Sequence, residues 1–100
     1  MNKYNVKLLA RAARDLDEIY TYIVEEFKEP GTAESIATLL EIAILGLVEI
    51  PYRGEVRKTG AFANRGYRQL FVKNFIIVYR IDEESRVVII VTVRYTNSRF

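Results

Sequence analysis

One hundred residues, half of them apolar, suffice for one hydrophobic core and fall short of two. The chain holds no Cys and no His, which excludes disulfides, thiolate nucleophiles, zinc–thiolate sites and imidazole acid–base chemistry. The net charge of +2 conceals a division, with five Lys/Arg against nine Asp/Glu in residues 1–50 and ten against four in residues 51–100. The basic second half suits phosphates or an acidic protein surface, and ordinary solubilising charge explains it equally well.

Residues 4–9 alternate, with Val6 and Leu8 on one side and Lys7 on the other, as a half-wet strand does. From Ala10 the period lengthens: Leu16, Ile19, Tyr20, Ile23, Val24 and Phe27 form a helical stripe, with Arg14, Asp17, Glu18 and Glu25 off it. Glu29-Pro30-Gly31 breaks this helix, and Thr32 is placed to cap a second one over residues 33–49, with Glu34 in its first turn. That second helix is apolar almost all round and is expected to be buried on more than one side, the two forming a hairpin. Pro51 stops it, and residues 51–66, with three Gly and several charges, read as an irregular basic loop. Residues 67–73, 75–82 and 86–95 are rich in Val, Ile, Tyr and Phe and are separated by tight polar turns, the pattern of an antiparallel meander.

The expected architecture is a single α+β domain over residues 1–100, in the order β-α-α-β-β-β, with the helical hairpin on one face of an antiparallel sheet. No repeat or linker divides it. The apolar stretches 36–50 and 87–93 are too short, or interrupted by Glu41 and Glu49, to give the roughly 20-residue span of a membrane helix. No cleavable leader is visible either, so a cytoplasmic location is expected. Residues 75–81 and 87–93 are apolar at both parities, as in a sheet covered on both faces, yet two helices cover only one. Either the second face or the second helix must therefore offer apolar surface to a partner.

Three stretches taken together resemble the RelE/ParE toxins of type II toxin–antitoxin systems. They are Ala12-x-x-Asp15-Leu16-x-x-Ile19-x-x-Tyr22-Ile23, which is similar to the ParE branch in particular; Ile50-Pro51 followed by Gly54; and Gly66-Tyr67-Arg68-Gln69-Leu70 with Val78-Tyr79-Arg80-Ile81 and Val93-Arg94-Tyr95. The resemblance runs from Tyr4 to Arg99. It implies a cognate antitoxin as partner, wrapping apolar surface for which Ile76, Val78 and Ile90 are the candidates. It also implies one of two targets, DNA gyrase for the ParE branch or ribosome-bound mRNA for the RelE branch.

RNA cleavage needs a base for the 2′-hydroxyl, cations for the phosphorane and an acid for the leaving oxygen. Arg68 matches by position an arginine of the RelE-type nucleases, Arg80 with Arg94 is the candidate bidentate phosphate clamp, and Tyr95 is the candidate acid. Lys58 or Lys73 would have to act as base. Lys58, Arg65, Lys73, Arg94 and Arg99 are the candidates for binding the target. A two-residue turn at Lys73-Asn74 pairs Arg68 with Tyr79 and leaves Arg80 at the other parity. A three-residue turn at 83–85 then brings Tyr95 to the face of Tyr79, a slip of one residue reversing this. Each candidate also has a bland reading: Arg68 as a bridge to a tyrosine hydroxyl or a terminal carboxylate, Arg80 and Arg94 as solvated charge, Tyr79 as core. Gyrase poisoning needs only a shaped basic surface, which the lack of His favours. A third reading is a degenerate member kept for antitoxin binding. No metal and no cofactor are expected; an enzyme of this kind would be a metal-independent endoribonuclease.

Overall fold

The alternation at the start of the chain becomes strand β1 (Asn5–Leu8), and the helical stripe becomes α1 (Ala10–Phe27). The computed structural model describes residues 3–27 and 30–96. Helix α1 buries Ala12, Ile19 and Ile23 and half-buries Leu16 and Val24, whereas Tyr20, on the same stripe, stays exposed. Helix α2 spans Pro30–Gly46, starting and ending about a turn earlier than the sequence suggested. Proline is at home there because the first helical N–H groups have no partner within the helix. The connection between the helices lies outside the described residues.

Helix α2 is the first correction. Ala33, Leu40 and Ile44 are buried against the sheet side, but Leu39, Ile42 and Leu45 are exposed, Ile42 by 62% and Leu45 by 55%. A helix that is apolar all round is here covered on one side only.

After α2 the chain makes a short 3-10 turn, Pro51–Arg53, and then a strand that the sequence did not suggest, β2 (Glu55–Val56). Strands β3 (Arg68–Val72), β4 (Phe75–Asp82) and β5 (Val87–Tyr95) follow as expected to within a residue. The five strands form one sheet in the order β1-β5-β4-β3-β2, with β1 parallel to β5 and every other pair antiparallel. The fold class is the expected α+β, but the sheet is mixed. Each consecutive element reverses the chain, and β2 adds one reversal; without it, the same succession would have left β1 and β5 antiparallel.

Across β3 and β4 the two-residue turn holds, with Arg68 opposite Tyr79 and Val72 opposite Phe75. Lys73 takes the left-handed conformation, φ 54°, that closing so tight a turn requires. Between β4 and β5 the connection has four residues, 83–86, not three, with Asp82 opposite Val87 and Arg86 at φ 55°. A bulge between Val78 and Tyr79 in the pairing shifts the register again, so that Phe75 meets Tyr95. Two one-residue slips cancel in parity. Tyr95 therefore shares the face of Tyr79 and Arg68, while Arg94, opposite Ile76, shares that of Arg80.

The helices lie on the face of Phe75, Ile77, Tyr79, Val88, Ile90 and Val93, which join Ile19, Ile23, Leu40, Ile44 and Leu47 in one core. At the edge of that core, the Asp15 carboxylate accepts the backbone N–H of Val93 at 3.1 Å and the hydroxyl of Thr92, tying α1 to β5 beside the bulge. Tyr4 N–H donates to the Val48 carbonyl at 3.0 Å, fixing the start of β1 against the exit of α2. Among the described residues, no helix is long and apolar enough to cross a membrane.

Candidate functional site

Tyr79 is wholly buried, so its hydroxyl needs partners inside the protein. It donates to the Pro51 carbonyl at 2.8 Å and accepts the Gly54 N–H at 2.9 Å. Opposite it on β3, Arg68 donates from Nε to the Gly54 carbonyl at 2.9 Å and from Nη2 to the Tyr52 carbonyl at 3.4 Å, its guanidinium lying 5.1 Å from the centre of the Tyr52 ring. A Cβ on Gly54 would sit 2.4 Å from the Gln69 carbonyl oxygen and 2.7 Å from the Tyr79 hydroxyl, which leaves room for glycine alone. Pro51, Gly54, Arg68 and Tyr79 thus form one latch holding the 3-10 turn to the sheet. The bland readings for Arg68 and Tyr79 describe these positions, with one change: the arginine bridges to backbone carbonyls, not to a hydroxyl.

Beside the latch, the Glu83 carboxylate accepts hydroxyl donors from Tyr4, at 2.7 and 2.9 Å, and from Tyr52. Those two donors, Tyr52 first, hold Glu83 below the usual carboxylate range, and the hydrogen bond to Glu83 in turn raises the pKa of each tyrosine. Arg86 lies over the Tyr4 ring at 5.4 Å.

Tyr95 stands at the opposite end of the same strands. Its ring packs 4.6 Å from Phe75 and edge-to-face on Tyr22 at 6.1 Å. Burial, then the neighbouring Tyr22 and Glu26, raise its pKa above that of a free tyrosine. Arg68 is four positions along β3 from Val72, which pairs with Phe75 beside Tyr95. At about 3.4 Å per residue that is roughly 14 Å. Tyr95 and Arg68 are not in one site, and Arg80 is exposed on the other face. A cleft of about 360 Å³ beside Tyr95 is lined by Asp15, Glu18, Tyr22 and Arg94, so two carboxylates face it.

Residues 57–66 are ordered by Arg57, which sequence reasoning passed over as one more loop charge. Its side chain is buried, with Nε donating to the Ala61 carbonyl and Nη1 to Gln69 Oε1 at 2.9 Å; Gln69 Nε2 in turn donates to Glu55 at 2.7 Å. Phe62 and Asn64 adopt left-handed φ of 67° and 57°, and the Phe62 ring rests 4.9 Å from Tyr67. No local sequence pattern marks Arg57, because its partner Gln69 lies on another strand and β2 itself was not foreseen. Lys58 and Arg65 are exposed on this loop, Lys73 is exposed on the β3–β4 turn, and Arg94 is half-buried on β5. Arg99 lies outside the described residues.

The three residues proposed to meet an antitoxin divide between the two faces of the sheet. Ile76 and Val78 do lie on the face away from the helices, but are 6% and 0% exposed; Ile90 is on the helix face, in the core. The fourth residue in the β4–β5 turn pairs Ile90 with Tyr79 instead of Val78, which is why Ile90 and Ile76 part company. Exposed apolar area is found on α2, on Leu8, Leu9 and Tyr20, and also on Phe71 of β3, which lies opposite Ile76 on the face away from the helices. Among the described residues, no group of carboxylates is arranged to hold a metal ion.

The family model for the ParE toxin of type II toxin–antitoxin systems matches residues 6–100. The chain belongs to the ParE toxin family. Among solved structures, the chromosomal ParDE toxin–antitoxin system of Pseudomonas aeruginosa matches with a TM-score of 0.76 and 21% identity, covering 95% of this chain and 98% of that one. The RelBE2 toxin–antitoxin complex of Mycobacterium tuberculosis matches with a TM-score of 0.64 and 25% identity, over 93% and 98%. A mutant of the Escherichia coli toxin RelE in the free state has the same fold, with a TM-score of 0.64 and 15% identity over 95% and 85%. Comparison with curated proteins found no match. The three stretches that suggested the family are accounted for physically: Asp15 anchors α1 to β5, and Pro51 and Gly54 meet Arg68 and Tyr79 in the latch.

Proposed function

We propose that this ParE-family chain is a growth-inhibiting toxin that acts in the cytoplasm by poisoning DNA gyrase and is neutralised by a cognate antitoxin. The observation that carries this reading over RNA cleavage is the dispersal of the acid–base candidates. Arg68 is engaged with two backbone carbonyls, Tyr95 lies roughly 14 Å away along the strands, and Arg80 is on the opposite face. Phosphoryl chemistry needs such groups within hydrogen-bond reach of one phosphate. A gyrase poison needs only a shaped surface, and Lys58, Arg65, Lys73, Arg80 and Arg94 provide cations on the C-terminal half. The match to the ParE toxin model over residues 6–100, and the toxin–antitoxin complexes among the structural neighbours, support both the branch and the antitoxin partner.

Two assays test the target. Purified protein is expected to trap gyrase on cleaved plasmid DNA and to leave mRNA on translating ribosomes intact. Cutting of ribosome-bound mRNA that is lost in Tyr95→Phe with the fold preserved would replace this reading by the ribonuclease one.

A further inference from the structure

Between Glu55 and Asp82 the chain carries six Lys or Arg and no Asp or Glu, the longest acid-free stretch in the sequence. It supplies β3, most of β4 and the loop at 57–66, and it exposes Lys58, Arg65 and Lys73. On the face away from the helices it also leaves Phe71 of β3 55% exposed, an aromatic ring set in water among cations. A groove of about 220 Å³ lies beside that ring, lined by Arg57, Thr59 and Gly60 of the loop, by Gln69, Phe71 and Ile76 of the sheet, and by the end of β5. Among the described residues no carboxylate lines it, whereas the buried Arg57 does. Lys58 adjoins Arg57 in the chain, and Arg65 follows Asn64, whose N–H donates to the Arg57 carbonyl at 3.0 Å. Lys73 is two residues past Phe71, roughly 7 Å along the strand. Cations thus flank the groove on both its loop side and its turn side.

We infer that this groove takes a short unpaired stretch of nucleic acid, with a base stacked on Phe71 and the adjoining phosphates met by Lys58, Arg65 and Lys73. Two observations choose that occupant. Cations with no acid among them suit a polyanion. An exposed ring in their midst suits the face of a base, which a paired duplex keeps inside its own stack. The source of the strand rests on the gyrase reading: it is DNA opened at the cleaved site, so that the toxin touches the DNA as well as the enzyme. The chemistry of the groove does not depend on that source.

The test is fluorescence anisotropy of the full chain with labelled oligothymidylate of about ten nucleotides, oligouridylate and a DNA duplex of the same length, at low and high salt. Oligothymidylate is expected to bind more tightly than duplex. Phe71→Ala is expected to weaken it about five- to a hundredfold, and Phe71→Trp to preserve it. Lys58→Ala and Lys73→Ala are each expected to lower the slope of log affinity against log salt by roughly 0.7, and Arg14→Ala, an exposed cation of α1, to leave it unchanged. All four positions are exposed, and circular dichroism melting checks that every variant is folded. Binding that ignores Phe71, or that Arg14→Ala weakens as much as Lys73→Ala, would overturn the inference, because unspecific charge would then explain it. A chain that traps gyrase on cleaved DNA yet binds no oligonucleotide also overturns it, and leaves the gyrase reading intact. So does a Phe71→Ala chain that loses antitoxin affinity while no oligonucleotide binds, since the ring would then belong to a protein interface. Binding of oligouridylate alone upholds the groove and removes the gyrase reading.

Discussion

The two ends of the β3–β4–β5 unit share strands and a face, yet they use their polar residues in opposite ways. At the Arg68–Tyr79 end, a buried hydroxyl, a guanidinium and the backbone of Pro51 and Gly54 satisfy one another within the chain. At the Tyr95 end, a tyrosine packs between Phe75 and Tyr22 beside a cleft lined by Asp15, Glu18 and Arg94. The lesson is that an arginine and a tyrosine in a recurrent motif are not by themselves a catalytic pair. Where a turn leaves backbone groups without partners under a sheet, the same two residue types are needed to satisfy them.

The sharpest way to break this contrast is at the glycine of the latch. Gly54→Ala forces a methyl against the Gln69 carbonyl and the Tyr79 hydroxyl, and is expected to cost about 3 kcal/mol in urea unfolding. Tyr79→Phe leaves the Gly54 N–H and the Pro51 carbonyl without their partner, at about 1–3 kcal/mol. Arg68→Ala is expected to cost about 1–2 kcal/mol, and less than additively with Tyr79→Phe, because both act through the same turn. If Arg68→Ala instead leaves the unfolding midpoint unmoved and abolishes target inhibition, the latch reading of Arg68 is wrong.

Smaller effects appear in the pH dependence. The pKa of Tyr95 is raised in the folded chain, so its contribution to stability is complete below the unfolded value near 10.0 and is lost as pH rises through the folded value. Tyr4 and Tyr52 are raised as well and act in the same alkaline window, so the Tyr95 share is read as the difference between the unaltered chain and Tyr95→Phe in alkaline melting. Glu83 has the opposite sign. Its folded pKa is depressed below 4.5, so its contribution is present above that value and is lost as pH falls through the folded one, and Glu83→Gln should flatten the acid limb. Smallest of all, Arg80→Ala on the exposed face is expected to stay within about 0.5 kcal/mol of the unaltered chain.

Much of the fold was legible because its signals are local. The stripe from Leu16 to Val24 could only be a helix, the turn at Lys73-Asn74 set the pairing of Arg68 with Tyr79, and three stretches in the right order suggested the family. What escaped depended on pairing between distant segments. Strand β2 has two residues, too few for any period, yet its single reversal goes with a parallel pairing of β1 to β5. The bulge and the longer β4–β5 turn, each invisible alone, cancel for Tyr95, and the turn moves Ile90 into the core. Arg57 looked like surface charge and is buried because Gln69 and the Ala61 carbonyl wait for it across the sheet.

By itself, then, the sequence determined the type of every long element, the family and the separation of acidic from basic halves, since composition and periodicity are properties of the chain. Only the tertiary structure decided which apolar residues stay outside. Helix α2 and strands β4 and β5 are all predominantly apolar on more than one side, and no pattern along the chain ranks one above the other. Packing did so, burying Ile76 and Val78 and leaving Ile42 and Leu45 exposed on a helix with a single covered side.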